Sequence, residues 1–284
     1  MIKSYKARRI IANTFIYLFL SVMGIIWVSP LVYLVLHSFR GEGGATVNYL
    51  IPKEFTFDNY IRLFTTTSAG ENFTKWFMNT LIVAACSCVI STLAVLMVSY
   101  SFSRMRFKAR RPLINVGMIL GMFPGFMTMI AIYYLLKSMG LTQSLVGLVI
   151  CYSAGAGLGY QISKGFFDTI PRALDEAATI DGATRNQIFW KIILPMSKPI
   201  IVYTVLTSFI GPWCDFILAK IIMGSDIDHY TVAIGLQNML QAGKADQFTM
   251  FLAGSVVVAV PITILFLVMQ RYYVEGVTAG GVKG

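Results

Sequence analysis

The sequence predicts an all-α membrane protein with six transmembrane helices, and three observations carry that reading. The chain has 284 residues, of which 56% are hydrophobic and only 13% charged, with a mean hydropathy of +0.70. A soluble domain carries about 25% charged residues, so lipid rather than water is the main solvent here. Six apolar runs approach or exceed the roughly 20 residues a helix needs to cross the hydrocarbon. Lys and Arg also collect on alternate connections: sixteen of the 23 lie at the N-terminus, in 103–112, in 164–198 and after 270, against seven elsewhere. By the positive-inside rule, both termini and the 164–198 segment face the cytoplasm.

The first run, 10–36, follows Lys3, Lys6, Arg8 and Arg9. It is far longer than the roughly 7–15 residues of a signal-peptide core, so it reads as a retained anchor. The connection 37–76 contains Asp, Glu, Asn and Gly and reads as an exposed outer segment. Runs at 77–102 and 113–136 flank the basic stretch 103–112. The fourth run, 143–163, is the least apolar and contains AGAGLGY at 154–160. There Gly155 and Gly159 have the G-x-x-x-G spacing that suits close helix packing.

The fifth run, 199–223, holds Asp215 directly after Gly211-Pro212-Trp213-Cys214, with Lys220 nearer the outer end. An ionisable group within a span is a functional candidate. Asp215 either lines or gates a pathway, or pairs locally with Lys220; Trp213 either stacks on a ligand ring or packs at the interface. The sixth run, 249–270, follows an outer connection, 224–248, that offers the amides Gln237, Asn238 and Gln241.

The polar interruption between runs four and five, DEAATIDGATRNQIFWKIILP at 175–195, reads as helix–turn–helix. Pro171 opens the first helix, where no backbone donor is needed. Asp175 and Glu176 sit near its start, where the helix dipole favours them. Gly182 permits a left-handed stop. Thr184 and Gln187 have capping-box spacing for a second helix over about 185–194. Its apolar face, Ile188, Phe189, Ile192 and Ile193, turns to the membrane or to the protein's own bundle, and Pro195 and Pro199 end it. The small Ala177 and Ala178 suit docking into a partner's groove; the reading that the residues alone favour is a helix lying on lipid headgroups.

Several function classes are disfavoured. The formal charge of +10 follows membrane topology rather than a nucleic-acid groove, for which no exposed folded domain is visible. Cys86, Cys88, Cys151 and Cys214 lie in apolar stretches without zinc-ligand spacing. No G-x-x-x-x-G-K-[ST], H-E-x-x-H or G-x-S-x-G occurs, and His37 and His229 lie far apart. An intramembrane enzyme therefore lacks its groups, and a secondary transporter would need several buried charges and broken helices.

The polar segment carries Glu176-Ala177-Ala178, Gly182, Ile192 and Leu194-Pro195, which is E-A-A-x3-G-x9-I-x-L-P with its spacing intact. It resembles the signature loop of the permease subunits of bacterial ABC importers. YTVAIGLQNML (230–240), AVPITILFLVMQRYYVEG (259–276) and VTAGGVKG (277–284) resemble the maltose/maltodextrin type among carbohydrate permeases, and Pro52, Phe55 and Phe57–Tyr60 fit the outer segment of sugar permeases. The resemblance implies a type I ABC importer permease fold, with 1–284 as a single transmembrane domain, a coupling loop at 168–195 and a tail at 271–284. It implies a non-catalytic subunit in the bacterial cytoplasmic membrane, paired with a second permease, a cytoplasmic ATPase dimer and an extracytoplasmic sugar-binding protein. ATP and Mg would be bound by the ATPase, with no cofactor on this chain. Carried over by position, Glu176, Ala177, Ala178, Asp181, Gly182, Leu194 and Pro195 would meet the ATPase, as would Thr278, Gly280, Gly281 and Lys283 of the tail. Gln237, Asn238 and Gln241 would meet the binding protein. The substrate would be maltose, maltodextrin or a related oligosaccharide, with another sugar or a glycerol-phosphate compound as the alternative.

Overall fold

The computed structural model describes residues 5–45, 47–67, 72–155, 159–241 and 245–281; side chains at 5–7, 245–246 and 273–281 lie outside the described set. Among the described residues the only strand-like pairing is an isolated bridge between Arg40 and Phe55. The helices are α1 (Tyr5–Ser38), α2 (Asp58–Thr65), α3 (Phe73–Arg104), α4 (Arg110–Gly121) and α5 (Gly125–Ser138). They continue with α6 (Leu145–Gly155), α7 (Tyr160–Thr169), α8 (Ala173–Ile180), α9 (Arg185–Ile188) and α10 (Leu194–Met196), the last two joined by a π turn at Phe189–Ile193. Beyond them lie α11 (Lys198–Cys214), α12 (Ile217–Met223), α13 (Val232–Gln241) and α14 (Ala245–Gly281).

Among the described residues three helices are long and apolar enough to cross a membrane unaided, Arg8–Ser38, Phe73–Arg104 and Gln247–Tyr272; bent pairs raise the number of candidate spans to as many as six. The bends correct the expected spans. The run 113–136 is not one helix: α4 and α5 meet at 106°. Pro124 has no N–H to continue the ladder and pushes Phe123 out of the helical region, so the chain turns there. The run 199–223 is likewise split, into α11 and α12, with Asp215 extended between them at φ −85°, ψ 110°. Pro212 falls in the last turn of α11 and starts that break. The sixth helix, expected to end near 270, continues to Gly281.

The chain forms two compact units, Met1–Thr66 with Asn238–Val257, and Thr67–Gln237 with Val258–Gly284. In the first, the chain leaving α1 is tied by a polar knot. His37 and Arg40 are buried. Arg40 donates from Nε to the Glu42 carbonyl at 2.7 Å and from Nη2 to the Gly44 carbonyl. Asn59 of α2 donates to the carbonyls of Ser38 and Arg40 at 2.9 and 2.8 Å. A buried guanidinium is tolerated because carbonyl oxygens replace its water.

In the second unit α3 is the spine, against which α11, α7 and α6 pack. Its inward face is built from small residues, Ala84, Ser87, Cys88, Ser91, Thr92 and Ser99, all buried. Small side chains let helix backbones approach closely, which drives association where lipid gives no hydrophobic push. The same residues bond across the contacts: Ser91 to the Tyr152 carbonyl at 3.3 Å and Ser99 to the Tyr160 carbonyl at 3.0 Å.

Candidate functional site

The segment 168–195 folds much as its local chemistry dictates. Helix α8 spans Ala173–Ile180 with Asp175 and Glu176 in its first turn, and Pro171 lies just ahead of the Arg172 N-cap. Gly182 has φ +84°, the left-handed conformation that glycine adopts without a Cβ clash. Thr184 caps α9 through the Gln187 amide, and the Gln187 side chain returns the bond to the Thr184 N–H at 2.8 Å.

Two expectations change. Pro195 does not end the helix. The Leu194 N–H bonds the Phe189 carbonyl five residues back. That wide π turn passes the chain into Pro195 without calling on its missing donor, and the helix turns by 84° only at Ser197. Ala178, expected on the exposed face, is not there either. It is 8% exposed and joins Ile188, Phe189 and Ile193 in a core with Tyr100 and Phe167. The apolar face of the second helix thus meets the protein's own bundle. The outward face of the loop is Glu176, Ala177, Asp181 and Gly182, with Pro195 exposed and Leu194 half-buried. Ile180, 86% exposed beside them, is an apolar side chain in the middle of that face.

The loop is clamped to the end of α3. The Arg104 guanidinium pairs with Asp175 at 3.0 Å, with side-chain exposures of 6% and 21%. The same group donates to the carbonyls of Phe167 and Ile170, both at 2.8 Å. Ser103 donates to Asp168 at 2.6 Å and Arg172 to the Ser103 carbonyl at 3.3 Å. Sequence reading passed over Arg104 because it counted as one more topogenic charge; the only signal was its place in the last turn of a span.

A cavity of about 330 Å³ opens among α3, α6, α7 and α11, lined by Tyr152, Tyr203, Thr204, Thr207, Ser208, Gly155, Gly159, Gly211, Pro212 and Val95. Gly155 and Gly159 do not serve close packing within this chain as their spacing suggested: among the described residues a Cβ on either would meet nothing within 4 Å. Their missing side chains make room instead. The hydroxyls of Thr204 and Thr207 donate to their own helix, at 2.8 and 2.9 Å, which leaves their oxygens free to act only as acceptors.

Asp215 stands behind this wall. Its Oδ2 accepts from the Tyr152 hydroxyl at 2.9 Å and its Oδ1 from the Leu218 N–H at 3.1 Å, which caps α12. The local pair with Lys220 does not form: Lys220 donates to the Tyr230 hydroxyl at 2.6 Å and lies 4.3 Å from that ring's centre. Trp213, read from the sequence as either stacking on a ligand ring or packing at the interface, is 3% exposed and packs on Phe77 and Phe209 at 5.1 and 5.9 Å. It is core, because Pro212 and the break at Asp215 turn the two residues to different sides. The wall residue missed by sequence reading is Tyr152, which gave no signal beyond being an aromatic in a span.

The connection 224–248, expected to be a loop, is largely helical among its described residues. After a 3-10 turn at Ile227–His229 comes α13, with Val232 and Ile234 fully buried. Gln237, Asn238 and Gln241 share one outward helix face. Lys75 pairs with Asp228 at 2.5 Å, and its hydrogen bond holds that carboxyl below the usual range. Asn79 donates to the carbonyls of Asp228 and Tyr230 at 3.0 and 3.1 Å. Of the tail residues, Thr278, Gly280 and Gly281 fall on the end of α14, where side chains lie outside the described residues, and Lys283 lies outside them altogether.

The family model for the binding-protein-dependent transport system inner membrane component matches residues 90–277. The galactooligosaccharides transport system permease protein of Bacillus subtilis (strain 168) is 35% identical over 100% of both chains. The maltodextrin transport system permease protein of Streptococcus pneumoniae (strain ATCC BAA-255 / R6) is 31% identical, again over 100% of both. Among solved structures, a chain of a bacterial ABC transporter involved in the import of the acidic polysaccharide alginate superimposes with a TM-score of 0.79 at 21% identity, covering 96% of this chain and 99% of that one.

Proposed function

The chain belongs to the family of binding-protein-dependent transport system inner membrane components, and from that premise we propose that it is a permease subunit of an ATP-driven importer of oligosaccharides of the maltodextrin or galactooligosaccharide class. In this reading the chain supplies one wall of the translocation pathway and receives its driving motion from a separate ATPase. Both termini and α8–α10 face the cytoplasm, in line with the Lys and Arg distribution.

The observation that carries the proposal is the rigid link from loop to cavity. Glu176, Ala177, Ile180, Asp181 and Gly182 present an exposed face for the ATPase, with Leu194 and Pro195 at its edge. Arg104 binds that element through Asp175 to α3, whose Val95 lines the cavity. A push on α8 is therefore delivered to the spine as a body, the kind of two-state movement that alternating access requires. ATP bound with Mg on the ATPase supplies the free energy. Here the Tyr152 and Thr207 oxygens, their protons already committed, accept from sugar hydroxyls, and the glycines leave room for a ring. On the outer side Gln237, Asn238 and Gln241 contact the binding protein; on the inner side the tail with Thr278, Gly280, Gly281 and Lys283 reaches the ATPase. A second permease subunit closes the open side of the cavity.

The test is uptake of labelled maltooligosaccharides and galactooligosaccharides into proteoliposomes holding the complete complex. Uptake that requires ATP and the binding protein and ignores ion gradients is expected. Uptake driven by an ion gradient without ATP refutes the proposal.

A further inference from the structure

A second concavity, of about 450 Å³, lies where α3 gives way to α4 and α7 passes beside them. Five cations face it: Arg106, Lys108, Arg110 and Arg111 from the 103–112 segment, and Lys164 from α7. Phe107 and Ile114 supply its apolar lining. Between Glu71 and Asp168 the sequence has no carboxylate at all. Asp168, the acid nearest this cluster, already accepts from Lys164 and Ser103, both at 2.6 Å. Among the described residues no carboxylate lies within salt-bridge distance of Arg106, Lys108, Arg110 or Arg111, although Arg110 is close enough to Asp168 to help hold its carboxyl below the usual range.

The placement is more than topogenic charge. Arg110 and Arg111 occupy the first turn of α4, with no acidic residue there and no side-chain cap. Cations at a helix N-terminus oppose the dipole, so an anion seated there relieves both the helix end and the mutual repulsion of the five charges. The pocket walls are also fixed to one another. The Tyr160 hydroxyl donates to the Ile114 carbonyl at 3.3 Å, and Gly117 lets that ring approach, since a Cβ there would lie 2.8 Å from its oxygen. Lys164, one turn further along α7, is thereby held opposite α4.

We propose that this pocket binds the phosphodiester headgroup of an anionic phospholipid. The choice of a lipid over another anion rests on what adjoins the charges. Phe107, Leu113 and Val116, 39%, 50% and 51% exposed, continue from the pocket along α4 as an open apolar surface. The pocket also lies at the junction of two candidate spans, Phe73–Arg104 and the bent pair beginning at Arg110. Charge for the headgroup and apolar surface for the acyl chains are thus contiguous at the hydrocarbon edge, where basic pockets between spans take anionic lipids.

The test uses the purified full-length chain in neutral detergent, delipidated and titrated with dioleoyl phosphatidylglycerol or dioleoyl phosphatidylcholine, with bound lipid read by native mass spectrometry. Phosphatidylglycerol is expected to bind in preference to phosphatidylcholine. The triple variant R106Q/R110Q/R111Q is expected to weaken it about a hundred-fold, each charge near the surface contributing about a factor of five. If the triple variant fails to fold, K108Q/R111Q, both exposed, is expected to show about a thirty-fold loss. R8Q/R9Q, which removes cations outside the pocket, is expected to bind like the parent chain. Equal binding by parent and pocket variants overturns the proposal, as does an equal loss in R8Q/R9Q. Full displacement of the lipid by equimolar inorganic phosphate would reassign the pocket to free phosphate.

Discussion

The Tyr152 hydroxyl donates to Asp215 Oδ2 at 2.9 Å, tying α6 to the break between α11 and α12. The one acidic side chain in the fifth span therefore acts from behind the cavity wall: it fixes the direction of a phenol and caps the helix that follows. In an apolar environment such a bond is worth about 0.6 and at most about 1.7 kcal/mol.

Tyr152→Phe is expected to lower stability by about 1 kcal/mol, and Asp215→Ala by about 2 kcal/mol because the α12 cap goes with it. The double variant should cost little more than Asp215→Ala alone, and both singles should slow uptake. Thermal melting of the purified chain and uptake into proteoliposomes measure the two effects. Fully additive losses would show that the two side chains act independently.

Arg104 holds one carboxylate and two carbonyls at once, and the pair with Asp175 is mostly out of water. Breaking it with Arg104→Gln leaves a largely buried charge unpaired, at a cost on the order of 3 kcal/mol. Arg104→Lys should not rescue, since an ammonium cannot reproduce the planar fork. Limited proteolysis across 172–185 should accelerate in both variants. A lysine variant with parental protection and uptake is the outcome that rules this out.

On the outward face of the 168–195 segment, Ile180→Asp and Glu176→Lys change exposed side chains. Ile180→Asp is expected to keep stability within about 0.5 kcal/mol of the parent, and Glu176→Lys to lower it by about 1 kcal/mol because the helix dipole then opposes the charge; both are expected to reduce ATP-dependent uptake at least ten-fold, as a docking hot spot does. Parental uptake by both variants would falsify the docking role of this face.

Gly235 is read from a near-contact. A Cβ there would lie 1.9 Å from the fully buried Trp76 ring, so the helix backbone of α13 rests directly on the indole. Gly235→Ala forces the ring or the helix aside, and overpacking of this kind costs about 1–3 kcal/mol. Tryptophan fluorescence should shift along with the melting point; an unshifted spectrum at parental stability counts against the contact.

Much of this molecule was legible from local chemistry. The helix-turn-helix of the loop follows from a glycine at the left-handed position 182 and from the Thr184–Gln187 cap, both of which act within four residues. The apolar runs and the Lys and Arg distribution are likewise properties of short segments, and the E-A-A spacing named the loop. The failures share a different cause. Pro124 and Pro212 were read through because a run of hydrophobic residues says how much apolar surface there is, and not whether it is one straight helix. In lipid, moreover, inward and outward faces are both apolar, so periodicity does not tell them apart. That is why Trp213 turned out to be core, Ala178 buried, and Gly155 and Gly159 the floor of a cavity. The bonds that join loop, spine and cavity, Arg104 to Asp175 and Tyr152 to Asp215, connect residues more than 60 positions apart. Their geometry exists once the helices have packed, because only packing decides which polar group is left facing which.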